Sequence, residues 1–105
     1  MEPCLFCQII QGTVESNIIY ADSKLIAFKD LHPKAPVHVL VVPREHIASL
    51  NHLHQEHQAL MGDFMLTLAK IAKQLGLTGF RTQFNTGKTG GQEIFHLHAH
   101  LLGSP

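Results

Sequence analysis

The sequence predicts an α+β fold: an antiparallel five-stranded sheet with one long and one short helix. Three observations predict it. Residues 95–102, Phe-His-Leu-His-Ala-His-Leu-Leu, alternate histidine with apolar side chains. That period of two marks a strand with one polar and one buried face. Val37-His38-Val39-Leu40-Val41-Val42 is almost entirely apolar and rich in β-branched residues, as a strand prefers, with His38 its one polar intrusion. Between these two runs lies a single long helical stripe. The other apolar runs are joined by links of hairpin length, which favours antiparallel pairing.

Taken in order, Leu5 to Ile10 is a short apolar segment that reads as a helix stopped by Gly12. Asn17–Ala21 and Leu25–Lys29 are rich in Ile, Tyr and Phe, and Asp22-Ser23-Lys24 between them suits a tight turn, so the pair reads as a hairpin. Asp30 to Pro36 carries two prolines and reads as a loop. Pro43 stops the strand over Val37–Val42. The long helix is expected from His54 to Leu75. Leu60, Phe64, Leu68, Ile71 and Leu75 recur at steps of three and four, Met61, Met65 and Ala72 widen the stripe, and Gly76 ends it. Phe80 to Asn85 is the fourth strand. Thr86 to Gln92 is a loop with three glycines that leads into the histidine strand. On that strand His96, His98 and His100 should share one face, with Leu97, Ala99 and Leu101 pointing into the core.

The 105 residues suggest one domain, 1–105, and 45% hydrophobic residues suffice for a core. Formal net charge is zero, which argues against a nucleic-acid or acidic-membrane surface. With no basic-then-apolar leader and no apolar run near the length of a membrane span, a soluble cytoplasmic protein is expected. The only cysteines are Cys4 and Cys7. In a reducing compartment such a pair suggests metal or redox chemistry rather than a disulfide. Nine histidines are many for this length. The row of three is suited to two chemistries, a catalytic metal held by imidazoles or nucleophilic attack by a neutral imidazole. His52, His54 and His57 read as a solvated helix start, and Lys70, Lys73 and Arg81 as solvated surface. Gly87-Lys88-Thr89 is not a phosphate-binding P-loop, because Thr82 stands where its first glycine is needed.

His96-Leu97-His98-Ala99-His100-Leu101-Leu102 resembles the His-φ-His-φ-His-φ-φ motif (φ, apolar) of the histidine triad (HIT) superfamily of nucleotide hydrolases and transferases. Asp30 to His46 is similar to that family's central block, and Asn85-Thr86-Gly87 with Gly90-Gly91-Gln92 to its phosphate-side loop. The Hint branch, purine nucleoside phosphoramidases, is the nearest in pattern. The resemblance implies that His98 attacks the α-phosphorus of a purine nucleotide, an AMP or GMP derivative, to form a nucleotidyl-histidine. His100 would hold a nonbridging oxygen and His38 would complete the cluster. Asp30 would bind the ribose. Ile9, Phe28 and Leu31 would hold the base, with Phe6 and Val14 as weaker candidates. Asn85, Gly91, Gln92 and Glu93 would line the phosphate and leaving-group side, where Glu93 would favour basic amine leaving groups. No Mg²⁺ site is expected. Cys4, Cys7, His46 and His96 would hold a structural zinc, as in some members.

The resemblance also implies a homodimer with two sheets joined. Hint-like relatives run on past the motif and reach the partner's active site, whereas this chain stops at Pro105, so its substrate range is expected to differ. Two alternatives accompany this reading: cleavage of dinucleoside polyphosphates, as in the Fhit branch, and a zinc-stabilised nucleotide-binding or interaction module with little turnover.

Overall fold

The computed structural model describes residues 4–105. Helix α1 (Leu5–Gln11) is followed by strands β1 (Ile18–Ala21), β2 (Leu25–Lys29) and β3 (Val37–Pro43), helix α2 (Gln58–Gln74), and strands β4 (Phe80–Gln83) and β5 (Ala99–Gly103). The five strands form one antiparallel sheet in the order β1-β2-β3-β5-β4. No helix among the described residues is long and apolar enough to cross a membrane.

Alternation along the strands divides the sheet into two faces with different duties. Leu25 and Ala27 of β2, Val39 and Val41 of β3, and Ala99 and Leu101 of β5 pack with Phe64, Leu68, Ile71 and Ala72 of α2. Ile26, Phe28, Leu40 and Val42 point the other way and pack under Phe6 and Ile9 of α1. β2 and β3 are therefore covered on both faces, which is why their sequences are nearly continuous in apolar residues. Helix α2 covers one face at β2, β3 and β5. Helix α1 has only seven residues and leaves part of the other face open beside β5.

Local chemistry explains the element ends. At the β1–β2 turn Asp22 Oδ1 accepts from the amides of Lys24 and Leu25, each at 2.8 Å, as an Asx turn requires. Cys4 is the N-cap of α1, its Sγ accepting from Cys7 N at 3.3 Å. Gly76, at φ 74°, takes the left-handed position after α2 and lets Leu77 N reach back to Ala72 O.

Several boundaries differ from the sequence reading. Helix α2 begins at Gln58, not His54, because two 3₁₀ turns, Leu50–His52 and Gln55–His57, precede it. There His57 accepts from His54 N through Nδ1 at 2.9 Å and bonds Glu45 through Nε2 at 3.3 Å. His57 is thus buried, so the expected solvated start holds only for its neighbours. The histidine strand starts at Ala99 rather than Phe95, and β4 ends at Gln83 rather than Asn85. Alternation nonetheless continues past the ladder: Leu97 joins the α2-side core, anchored by Leu97 N to Ile47 O at 2.6 Å.

Candidate active site

The open part of the sheet face carries the histidines. Register places His38 opposite Leu102 and Leu40 opposite His100, so His38 and His100 share the face under α1. Both rings, with His98, lie within a connected network. His38 Nε2 is 2.9 Å from His100 Nδ1, and the rings of His98 and His100 meet edge to face at 5.1 Å. Phe6 stands edge-on to His98 at 5.0 Å and to Phe28 at 5.4 Å, so α1 is pinned to the site by aromatic contacts.

Main-chain groups fix the protons on these rings. A carbonyl only accepts, so the 2.7 Å contact of His98 Nδ1 with His96 O places the proton on Nδ1 and leaves Nε2 with a lone pair. His38 Nδ1 accepts from Lys34 N at 3.0 Å, so the neutral His38 ring carries its proton on Nε2. That proton faces His100 Nδ1, which leaves the proton of His100 on Nε2. Burial pushes His38, His98 and His100 below the ordinary histidine range, which favours the neutral form of each ring. Asp30 Oδ2, 3.4 Å from His38 Nε2, acts the other way, and the Lys34 ammonium adds to the depression at His38 and His100. The site therefore presents one bare nitrogen, at His98, beside rings that donate.

Two clefts meet here. The first, about 280 Å³, is floored by Phe6, Ile9, Phe28 and Leu40 and has Leu31 at its rim, with His98 and His100 at its inner end. The second, about 550 Å³, is polar and includes Lys34, His38, Arg81, Gln83 and His100. Asp30, Asn85, Gly91 and Glu93 border both. Of the residues singled out in the sequence, Ile9, Phe28, Leu31, Asp30, His38, Asn85, Gly91, Glu93, His98 and His100 are thus brought together. Phe6 and Val14 also line the first cleft.

Gln92 is placed differently from its neighbours. It is buried and lines neither cleft. Its Oε1 accepts from Gly87 N at 2.9 Å, and its Nε2 donates to Ala48 O at 2.8 Å and Ile94 O at 3.0 Å. It braces the loop from inside. Asn85 Nδ2 closes the same loop on Gly90 O at 2.9 Å, and a Cβ on Gly90 would stand 2.2 Å from Thr86 O, so only glycine fits there. Arg81, read from sequence as solvated surface, is a wall of the second cleft, as are Lys34 and Gln83, which the sequence reading did not single out. Period-two spacing of Arg81 and Gln83 on β4 is the one signal that could have paired them.

On the other side of His98 lies a second cluster. Cys4, Cys7, His46 and His96 offer ligand atoms all within 4.8 Å of one another, positioned to hold a metal ion. Cys4 Sγ and Cys7 Sγ are 3.5 and 3.6 Å from His96 Nδ1, and Cys7 Sγ is 3.2 Å from His46 Nδ1. Tetrahedral bonds of about 2.3 Å to sulfur and about 2.0 Å to nitrogen place such atoms about 3.5 Å apart, so the donor set fits zinc in type and spacing. His96 Nε2 donates to Pro43 O at 2.7 Å, which turns the Nδ1 lone pair toward the thiols. In the metal-free protein burial, with Cys4 beside it, pushes the Cys7 thiol up to about 11, so a bound metal must displace a proton from it.

The depressed histidines predict a pH dependence of stability. His38 and His100 take up protons less readily folded than unfolded, so the unfolded chain binds more protons once pH falls below about 6.5. The melting temperature should be level above that pH and decline below it, and His100→Gln should make the decline shallower. Thermal denaturation between pH 8 and 5 checks this; a flat profile contradicts it.

A family model described as scavenger mRNA decapping enzyme C-term binding matches residues 3–105. Protein HitA of Neisseria gonorrhoeae is 48% identical, covering 100% of this chain and 99% of its own. A purine nucleoside phosphoramidase of Escherichia coli K12 is 40% identical, over 97% of this chain and 87% of its own. The crystal structure of a HIT family hydrolase from Legionella pneumophila superposes with a TM-score of 0.95 at 38% identity, covering 98% of this chain and 94% of that one. The chain belongs to the histidine triad superfamily.

Proposed function

We propose that the protein hydrolyses nucleoside 5′-phosphoramidates, or related purine nucleoside monophosphate derivatives, through a nucleotide bonded to His98. The observation that carries this reading is the bare Nε2 of His98, whose proton is held on Nδ1 by a main-chain carbonyl. The phosphoramidase among the relatives supports the substrate class.

The chemistry follows from the proton positions. His98 Nε2 bonds to phosphorus as the bond from phosphorus to the leaving nitrogen breaks, and that nitrogen takes a proton from the medium. The modified ring is cationic, and its Nδ1–H stays on the carbonyl of His96, which stabilises that charge. Water then bonds to phosphorus, the P–Nε2 bond breaks, a proton returns to the medium, and His98 is restored. The net change is addition of water across the P–N bond. His100, with its proton on Nε2, supplies a donor for a phosphoryl oxygen, and the His38 ring behind it holds that tautomer. Ile9, Phe28 and Leu31 suit a purine, Asp30 the ribose hydroxyls, and Asn85, Gly91 and Glu93 the far side of the phosphate. Gln92 acts on the nucleotide through the loop it braces.

We assign a structural zinc to Cys4, Cys7, His46 and His96. Bound there, it would fasten the start of α1 to the segment that orients His98. A homodimer is also inferred. β4 is an edge strand with all four residues exposed. Lys24–Asp63 and Lys70 over Tyr20 turn one side of α2 toward β1. By helical spacing Met61 and Met65 then flank the β4 side, where Met65 is half exposed. Pairing of two β4 edges would cover both features.

Two experiments test these readings. Adenosine 5′-phosphoramidate quenched in acid during turnover should leave a nucleotide on wild-type protein and none on His98→Ala, whose rate should fall at least about a thousandfold, as for loss of other catalytic nucleophiles. Undiminished turnover by His98→Ala contradicts the mechanism. Metal analysis should find one zinc per chain, and Cys4→Ser with unchanged zinc content contradicts the site.

A further inference from the structure

The second cleft has a chemical character of its own. It shares Asp30, His32, Asn85, Gly91, Glu93 and His100 with the first and none of the apolar floor, so it offers a polar space beside the reacting phosphorus for the leaving group. Strand register shows how β4 contributes. Gln83 pairs with His100 and Arg81 with Leu102, and paired residues of antiparallel strands share a face. Arg81 therefore stands on the reactive face, two residues from Gln83, about 7 Å along the strand. From the other wall comes Lys34, whose backbone holds His38 and whose charge is felt by both His38 and His100.

Among the described residues neither cation has an ion-pair partner. The ion pairs among the described residues join Lys24 to Asp63, His38 to Asp30 and His57 to Glu45, and none involves Lys34 or Arg81. Both line the second cleft and neither lines the first. Two carboxylates border the cleft. Asp30 is engaged by His32 N at 2.8 Å and by His38. Glu93 sits on the seam between the clefts, and it is the one group that would draw a cationic leaving group instead.

We propose that this cleft is a leaving-group subsite selective for negatively charged leaving groups, with Lys34 and Arg81 as the contacts that select them. It rests on the phosphoramidase reading for the reacting bond and names the class of amine released: one bearing a carboxylate or similar anion a few atoms from the nitrogen. This reverses the expectation drawn from Glu93 alone, because Lys34 and Arg81 line only the second cleft, whereas Glu93 is shared with the first and Asp30 is already engaged by His32 N and His38.

The test uses three adenosine 5′-phosphoramidates that differ in the charge at the far end of the leaving amine: 4-aminobutyrate, 4-aminobutyramide and 1,4-diaminobutane. Kd is measured by calorimetry on His98→Ala protein and kcat/KM on wild type, both at low salt. The anionic compound should bind and react about three- to tenfold better than the neutral one, the range that exposed charge pairs reach, and the cationic one should be worst. In the Lys34→Gln, Arg81→Gln double variant the anion-to-neutral ratio should fall to about one. The result is a ratio within one protein, so a general loss of stability or rate does not imitate it. Preference for the diamine, equal affinity for the three, or a ratio unchanged in the double variant overturns the proposal. Charge selection in Kd without turnover of any of the three would leave the subsite standing and refute the phosphoramidase reading instead.

Discussion

Between His98 Nδ1 and the main-chain oxygen of His96 lies a 2.7 Å hydrogen bond whose direction cannot reverse, because a carbonyl has no proton to give. Reactivity at His98 follows from it. An imidazole in water exchanges its two neutral tautomers freely; here one is held. The same residue that offers this carbonyl uses its side chain elsewhere, with Nε2 on Pro43 O and Nδ1 among the cysteine thiols. Residue 96 thus joins the reactive ring to the cluster at the start of α1. Anything that moves its backbone moves the proton that makes His98 Nε2 available.

The remainder of the fold keeps that geometry rigid and accessible together. Leu97, and Ala99 and Leu101 of β5, are buried with α2, so the histidines between them cannot rotate inward without exposing the core. Helix α1 is too short to close the other face, and what it leaves uncovered is the site. Phe6 locks the helix to His98 and Phe28, and His98 still lines the first cleft. On the far side, Gln92 commits both amide N–H groups and its oxygen to main-chain groups of Ala48, Ile94 and Gly87, and the loop bearing Gly91 and Glu93 stays where the two clefts meet.

Much of this arrangement was legible in the sequence, for identifiable reasons. Alternation in 95–102 reports the environment of each side chain rather than ladder hydrogen bonds, so it located the histidine face correctly even though β5 begins only at Ala99. The stripe of α2 was legible because its central residues, Phe64, Leu68, Ile71 and Ala72, are buried against the sheet. Its start was not, because the His57 ring accepts from His54 N and bonds Glu45 in a 3₁₀ turn that hydrophobic spacing does not register. Cys4 and Cys7 form a recognisable pair, but His46 and His96 are far from it in the chain, so the meeting of all four was legible only through the family resemblance. Arg81 was misread because an exposed edge residue looks like any surface arginine until its pairing with Leu102 assigns it a face. Gln92 sits in a motif of loop residues that face the clefts, and only its hydrogen bonds reveal that it turns inward.

Long-range ¹H–¹⁵N correlation spectra of histidine-labelled protein near pH 7.5 test the central claim most directly, because they report which nitrogen of each ring is protonated. The account predicts that His98 is neutral, with a protonated Nδ1 and a bare Nε2. A His98 ring protonated at Nε2, or one averaging between the two tautomers, would contradict it.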